Sequence, residues 1–508
     1  MESQERKFTV PGSAPDIYNP IPMGKLLAHH AERQGERECL VFEHKSYTWN
    51  ELDRKANRLA RYLQSQGVKK GDFVTIALRN GPRFFEAAFA ALKLGATPNP
   101  VPYRLPAAEF TAVMGLVKPS FIFCDEAERA GNTPCIPEHF DLPESVPEDP
   151  LTACVPQSWK ALTSGGSTGA PKVIVSHMPG EWDPNFPLLE IPVDSAVLIP
   201  GPLYHNAPYA MAMLSLMKGN SVVQMPKFDA EACLKLIEKY RIEWTTMVPT
   251  MLNRIWRLDD ETKDRYSLDS LRCILHTAAA CPPWLKRAYI DWLGGERIFE
   301  LYGGTEDTGR TLIDGNEWLE RPESVGRMQP GFNVRILDEN GETLPAGEIG
   351  MIYLLPDSGF ASTYHYLGAE RDHIGEWETL GDMGHLDEDG YLYLADRRTD
   401  LIVSGGANIY PAEVESAIER HPEVICAVAI GLPDNDLGQR VHAIVQVREG
   451  TNTATLEDEL RRFSADQIAL YKTPRDYEFV TQKLRDEAGK VRRHALREER
   501  TGPTVNPA

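Results

Sequence analysis

Between Thr48 and Ala278 short apolar runs alternate with amphipathic stretches, and this rhythm restricts the fold more than any other feature of the chain. Thr48 with Glu51 makes a capping box, Leu52, Ala56, Leu59 and Leu63 follow at helical spacing, and Gly67 ends the helix. DFVTIAL then reads as a strand, PRFFEAAFAALKLGA as a helix entered through Pro82, and SFIFCD as another strand. The pattern returns with SAVLIP, CLKLIEKYRI, WTTMVP, a helix through Met251 to Leu258, and LRCILHTAA. Strands and helices alternating at this spacing predict a largely parallel α/β sheet. From about Arg321 the texture changes to short strands and Gly/Asp turns (VRILDENGE, GMIYLL, HLDEDGYLYLADR), which predicts an antiparallel or barrel-like subdomain. Beyond Arg397 a smaller α+β unit is expected, with a helix opened by Pro411 and the strands VICAVAIGL, HAIVQV and DYEFV. A chain of 508 residues is too long for one core. We therefore expect an α/β protein: a large N-terminal domain over 1–396, made of parallel α/β subdomains plus a barrel-like β subdomain, and a small α+β domain over 397–508. The last residues, TGPTVNPA, read as a disordered tail.

Composition excludes several classes. Hydrophobic content of 42% and charged content of 25% are those of a globular protein. A net charge of −20 argues against nucleic acid or an anionic membrane as partner. The eight cysteines are scattered, with no CxxC pair and no Cys/His ligand spacing, and read as reduced core thiols of a cytoplasmic protein. The N-terminus MESQERKFTV is charged where a signal peptide is apolar, and no run approaches the ~18 apolar residues of a membrane span.

The stretch TSGGSTGAPK, Thr163 to Lys172, joins glycines that admit backbone N–H groups close to phosphate oxygens with a lysine that can neutralise them. It is not a Walker loop, because Lys172 follows Pro171 and precedes Val173. On composition alone it could equally be a flexible linker. Four further stretches decide between these readings: PLYHNAP, YGGTE, TLGDMGHLDEDGYLYLADRRTDLIVSGGANIYPAEVE and AGKVRR. In this order and at these intervals the series resembles the adenylate-forming superfamily of acyl-CoA synthetases, adenylation domains and luciferases, from about Tyr47 to Arg493.

The resemblance implies that an acid and ATP form an acyl-adenylate and pyrophosphate, after which a thiol displaces AMP. It implies that Thr163, Ser164, Gly165, Ser167, Thr168, Gly169 and Lys172 grip the β- and γ-phosphates, although Gly166 replaces a usual hydroxyl residue and Val173 a usual glycine. Thr305 and Glu306 are expected at the α-phosphate and a Mg²⁺ ion, a hard cation that suits a carboxylate. Tyr302 is expected on the adenine face, with Ala278, Ala279 and Ala280 beside the base, while Asp382 and Arg397 hold the ribose. His205 stands where relatives carry a gate between acyl pocket and thiol tunnel. Lys490 matches a lysine on a mobile small domain that bridges the acid's carboxylate and the α-phosphate. Because Lys490 and the Gly405-Gly406 loop sit on the same small domain, that domain is expected to rotate between half-reactions about Thr399.

CoA is the expected thiol, since Val403 to Asn408 resembles the glycine loop of a pantetheine tunnel, with Ala407 where glutamate is common. GPLYHNAP, MVPTMLNRI, CPPWLK and DRRTDLIVSGGANIY look most like bacterial bile-acid or steroid-carboxylate CoA ligases. Tyr209, Met211, Met213, Met247, Met251, Trp256 and Trp284 are candidates for a bulky apolar pocket, or equally for plain core. A medium-chain fatty acid or an aryl acid is the alternative substrate. A non-catalytic acyl- or nucleotide-binding homologue is the alternative class, and it would be expected to lack Lys490 or Glu306, both of which are present. The partners implied are a small carboxylic acid, ATP and CoA, and a homo-oligomer is compatible with all of these readings.

Overall fold

The computed structural model describes residues 19–165, 171–357, 362–397, 400–404, 407–434, 437–487 and 489–501. The capping box forms as expected: Thr48 accepts from Glu51 N–H at 3.2 Å, Glu51 accepts from Thr48 N–H at 2.9 Å, and the helix runs Trp49–Ser65. Pro82 opens the helix Pro82–Lys93, which is buried on nearly every face between sheets. Its Lys93 is tolerated there because Asp53 meets it at 2.7 Å.

Six strands of the main sheet run parallel, in the order Glu38–Phe42, Ser221–Gln224, Ala196–Ile199, Trp244–Met247, Cys273–Thr277, Ile298–Gly303. A second sheet of four parallel strands is built around Phe73–Ala77. The expected antiparallel region is present, and it extends the main sheet instead of standing apart from it. Ile298–Gly303 pairs in parallel with Cys273–Thr277 on one side and antiparallel with Arg310–Asp314 on the other. The 304–309 connection is too short for a crossover, so the chain has to reverse there. Ser324–Met328, Tyr391–Arg397, Trp377–Leu386, Gly350–Pro356 and Phe332–Leu337 then continue the sheet, which counts fourteen strands among the described residues.

The small unit has a five-stranded sheet, led by the pair Val424–Asp434 and Gly438–Val447, under the helices Pro411–Glu419 and Thr453–Ala465. Glu415 on the first helix binds Arg485 at 2.9 Å and Arg493 at 2.5 Å, which ties the 485–493 segment to this domain. All eight cysteines are free; five are buried, while Cys135, Cys154 and Cys281 are only partly so.

Candidate active site

Four adjacent parallel strands end on one edge of the sheet, and each is followed by residues singled out in the sequence. Ala196–Ile199 leads to His205, Trp244–Met247 to Met251, Cys273–Thr277 to Ala278–Ala280, and Ile298–Gly303 to Thr305 and Glu306. The carboxyl edge of a parallel α/β sheet is where such folds bind ligands. Ala278 holds φ of 74°, a left-handed conformation rare for a residue with a Cβ, at the end of its strand.

Thr163, Ser164 and Gly165 lie on the strand Ala161–Gly165, paired with Val173, Lys172 and Pro171 of the strand Pro171–Ser176. Gly166, Ser167, Thr168 and Gly169 lie outside the described residues, as do Thr399, Gly405 and Gly406. Lys172 reaches from this hairpin toward Glu306, Nζ to Oε1 at 3.7 Å, with its ammonium 4.0 Å from the centre of the Tyr366 ring. The Tyr366 hydroxyl donates to the same Oε1 at 2.7 Å, and Thr363 Oγ1 donates to the Glu306 carbonyl at 2.7 Å. Glu306 is 8% exposed, so a cation and a hydroxyl meet a carboxylate largely shielded from water. Burial and the neighbouring Glu306 carboxylate push the Tyr366 phenol well above its ordinary value, so it stays a donor.

The Tyr302 hydroxyl donates to Asp382 Oδ2 at 3.0 Å, joining the end of one central strand to Trp377–Leu386. Asp382 sits opposite Arg397 in the antiparallel register of the two long strands. The pair is therefore positioned by a ladder and not by a loop.

His205 is the N-cap residue of the helix Asn206–Met217. Loss of hydration holds its imidazole down at about 4, with Lys490 acting the same way and Asp486 and Glu487 opposing. Lys490 is thus among the charges that act on His205 across the seam between the two domains. The seam is specific: Tyr204 Oη donates to Glu487 at 2.8 Å, and Gly489, at φ of 75°, lies against Thr250 and Val248. The turn carrying Lys490 is closed by its own backbone N–H to Asp486 Oδ1 at 2.9 Å and by Asp486 N–H to the Lys490 carbonyl at 3.0 Å. Asn253 and Arg257, on the helix Pro249–Trp256 and its C-cap, add donors to the carbonyls of Ile425 and Val424.

The candidate pocket residues divide between two apolar cores. Tyr209, Met211 and Met213 pack into the first apolar core with Trp159 and Phe84, whereas Met247 and Met251 belong to a second core flanked by Trp256 and Trp284. The helix Asn206–Met217 is apolar on all sides, so most of these side chains fill the interior.

Three contributors escaped the sequence reading: Tyr366, the Tyr204–Glu487 contact, and Lys160 with Asn206. Only Lys160 left a signal, a charged residue in the otherwise apolar run leading into a buried strand.

The AMP-binding enzyme family model matches residues 27–365, and the model of the AMP-binding enzyme C-terminal domain matches residues 413–490. Feruloyl-CoA synthase of Amycolatopsis sp. is 30% identical over 469 residues, which span 89% of this chain and 93% of that protein. The 2-succinylbenzoate–CoA ligase of Bacillus pumilus is 28% identical over 493 residues, 93% of this chain and 97% of that one. The o-succinylbenzoate CoA synthetase of Bacillus subtilis, solved with its acyl-adenylate intermediate, superposes with a TM-score of 0.80 at 25% identity, covering 96% of this chain and 100% of that one. With its large N-terminal and small C-terminal domain, the chain belongs to the AMP-binding enzymes and is an AMP-forming acid–CoA ligase that works through an acyl-adenylate.

Proposed function

We propose that the acid is an aromatic carboxylate of modest size. Two observations support this over the steroid reading. The Met and Tyr side chains that would have lined a roomy apolar pocket are buried in two cores, with Trp256 and Trp284 partly buried against the second, and the relatives named above act on feruloyl and succinylbenzoyl groups.

In the first half-reaction a carboxylate oxygen attacks the α-phosphorus and the bond to pyrophosphate breaks. In the second the CoA sulfur attacks the acyl carbon and AMP leaves. In our reading Lys172 and the loop from Thr163 hold the β- and γ-phosphates, Asp382 and Arg397 the ribose, and Tyr302 and Ala279 the base. Lys490 neutralises charge that builds between carboxylate and α-phosphate, which lowers that barrier by preorganised electrostatics. Glu306 would hold Mg²⁺, which when bound neutralises phosphate charge. A single buried carboxylate fits a hard cation that keeps most of its waters, and no group of three or more acidic, His or Cys side chains converges into a full cage among the described residues.

The observation that supports this reading is the Tyr204–Glu487 contact, which holds the turn carrying Lys490 beside the carboxyl edge of the sheet next to His205, an arrangement suited to adenylation. Thioester formation then requires the small domain, with the Gly405-Gly406 loop, to turn about Thr399. The test is ATP–pyrophosphate exchange over benzoate, ferulate, 2-succinylbenzoate, octanoate and cholate. We expect an aromatic acid to have the highest kcat/KM, at least about tenfold above cholate; cholate as the best substrate would overturn the assignment.

A further inference from the structure

Lys160 immediately precedes the strand Ala161–Gly165 and is 7% exposed. Its ammonium donates to Asn206 Oδ1 at 2.6 Å and lies 4.9 Å from the Trp159 ring. No carboxylate among the described residues is close enough to pair with it. An ammonium has three donors, and one neutral amide oxygen occupies one of them. A buried charge so sparsely matched destabilises the fold, and such groups concentrate where a ligand completes them. Loss of hydration pushes Lys160 down to about 8, while Asp307 and then Glu306 act to keep it charged and Arg310 opposes them. Around it other polar groups are also unmatched. Trp159 stacks on Tyr209 with ring centres 5.9 Å apart, and neither the indole N–H, the Tyr209 hydroxyl nor the Thr308 hydroxyl has a hydrogen-bond partner among the described residues.

The position of this cluster relates it to the acid. Asn206 directly follows His205, next to the Tyr204–Glu487 contact that holds the turn of Lys490, and Asp307 and Thr308 directly follow Glu306. In the reading proposed above the acid's reacting carboxylate lies between Lys490 and the phosphates; the first turn of the helix Asn206–Met217 and the 305–310 loop both begin beside that point, and Lys160 donates to the first of them.

We propose that Lys160 and Asn206 form an oxygen-reading subsite of the acid pocket, and that the preferred acid carries a second oxyanion or strong acceptor, such as a carboxylate or phenolate oxygen, beyond its reacting carboxylate. The placing of the acid beside Lys160 and the choice of aromatic acids both rest on the function proposed above. A phosphate oxygen of ATP offers the same chemistry, so the experiment separates the two sources.

Lys160→Met keeps an unbranched side chain of nearly the same length and removes the charge. Wild type and variant are compared by pyrophosphate release on acid pairs differing in the second oxygen group: cinnamate with 4-hydroxycinnamate, benzoate with isophthalate, octanoate with octanedioate. The Kd for ATP is measured by calorimetry without acid. In wild type the oxygen-bearing member of at least one pair should have the higher kcat/KM, and Lys160→Met should cut that preference about 30-fold, the ordinary loss of one charge-assisted contact, while ATP binds within about threefold of wild type. An equal loss on both members together with weakened ATP binding would assign the lysine to phosphate and overturn the proposal. So would an unchanged preference. If the variant does not fold, the wild type alone decides, since preference for the plain member in every pair overturns it. Failure of the aromatic reading shows separately, as octanedioate surpassing every aromatic acid with the dependence on Lys160 intact.

Discussion

Glu306 illustrates how one side chain can be prepared for two successive tasks. Before any ligand arrives, Tyr366 and Lys172 both address Oε1, so the carboxylate is oriented in a mostly dry site. Tyr366→Phe removes the donor and keeps the ring under Lys172. We expect adenylation to slow about three- to tenfold with thermal stability nearly unchanged, consistent with the loss of a single hydrogen bond to a charged group. Lys490 stands at the opposite extreme: exposed, on the short turn that Asp486 closes. Lys490→Ala should lower pyrophosphate release at least about 100-fold while sparing CoA transfer from a pre-made acyl-adenylate, because its charge matters where negative charge accumulates at the α-phosphate. Near-normal pyrophosphate release by this variant would remove the lysine from the mechanism.

At the level of elements, the decisive feature is the join between the parallel and antiparallel halves of the main sheet. Ile298–Gly303 and Arg310–Asp314 make that join, and the next strand, Ser324–Met328, has a ladder to Tyr391–Arg397 that slips between Ser324 and Gly326. Gly326 holds φ of 96°, and a Cβ placed there would lie 2.3 Å from the Leu312 carbonyl oxygen, which is backbone and cannot move aside. Gly326→Ala should therefore cost about 2–4 kcal/mol, combining a forced left-handed residue with a steric clash. Gly450→Ala is the control: φ there is 88° but nothing lies within 4 Å, so only the conformational cost of about 1 kcal/mol applies. Urea unfolding of both variants checks this, and equal losses would mean that the close approach of the two strands is irrelevant.

For the molecule as a whole, two quantities follow from how its parts are assembled. Among the described residues the polar contacts across the seam include Tyr204 to Glu487, made by the residue directly before His205. Tyr204→Phe should weaken the adenylating arrangement and slow the first half-reaction severalfold, while the rate of acyl transfer to CoA stays the same or rises. Loss in both half-reactions equally would place Tyr204 outside the rearrangement. The second quantity is stability against pH. His276 is fully buried, and neither ring nitrogen has a hydrogen-bond partner among the described residues. Loss of hydration holds it at about 4, against an ordinary value of 6.5, with Glu300 opposing and Lys286 reinforcing that shift. Between these values the unfolded chain takes up a proton that the native protein refuses, so stability falls as pH drops from 6.5 toward 4. His276→Leu should reduce that slope by up to about 1.4 kcal/mol per pH unit without lowering stability at pH 8. Urea midpoints at four pH values measure it, and parallel slopes would show that His276 is not responsible.

Whatever depends on neighbours in the chain is legible in the amino-acid order alone. The capping box at Thr48, the Pro82 helix start, each turn of the strand–helix alternation and each of the five motifs is written within a short stretch of chain, and local propensity and backbone geometry act over that range. The family and its chemistry follow from those motifs. Other features require the chain to return on itself. Tyr366 finds Glu306 across 60 residues, Lys160 finds Asn206 across 46, and Tyr204 finds Glu487 across 283. The same holds for the fate of Tyr209 and Met247: an apolar side chain reads identically whether it lines a pocket or fills a core, and only the packing of helices against the sheet assigns them to two interiors. A lysine beside a strand is likewise ambiguous until its surroundings are closed. Tertiary packing takes away the water of Lys160 and leaves it one amide oxygen, which turns an ordinary surface charge into a group that waits for an anion.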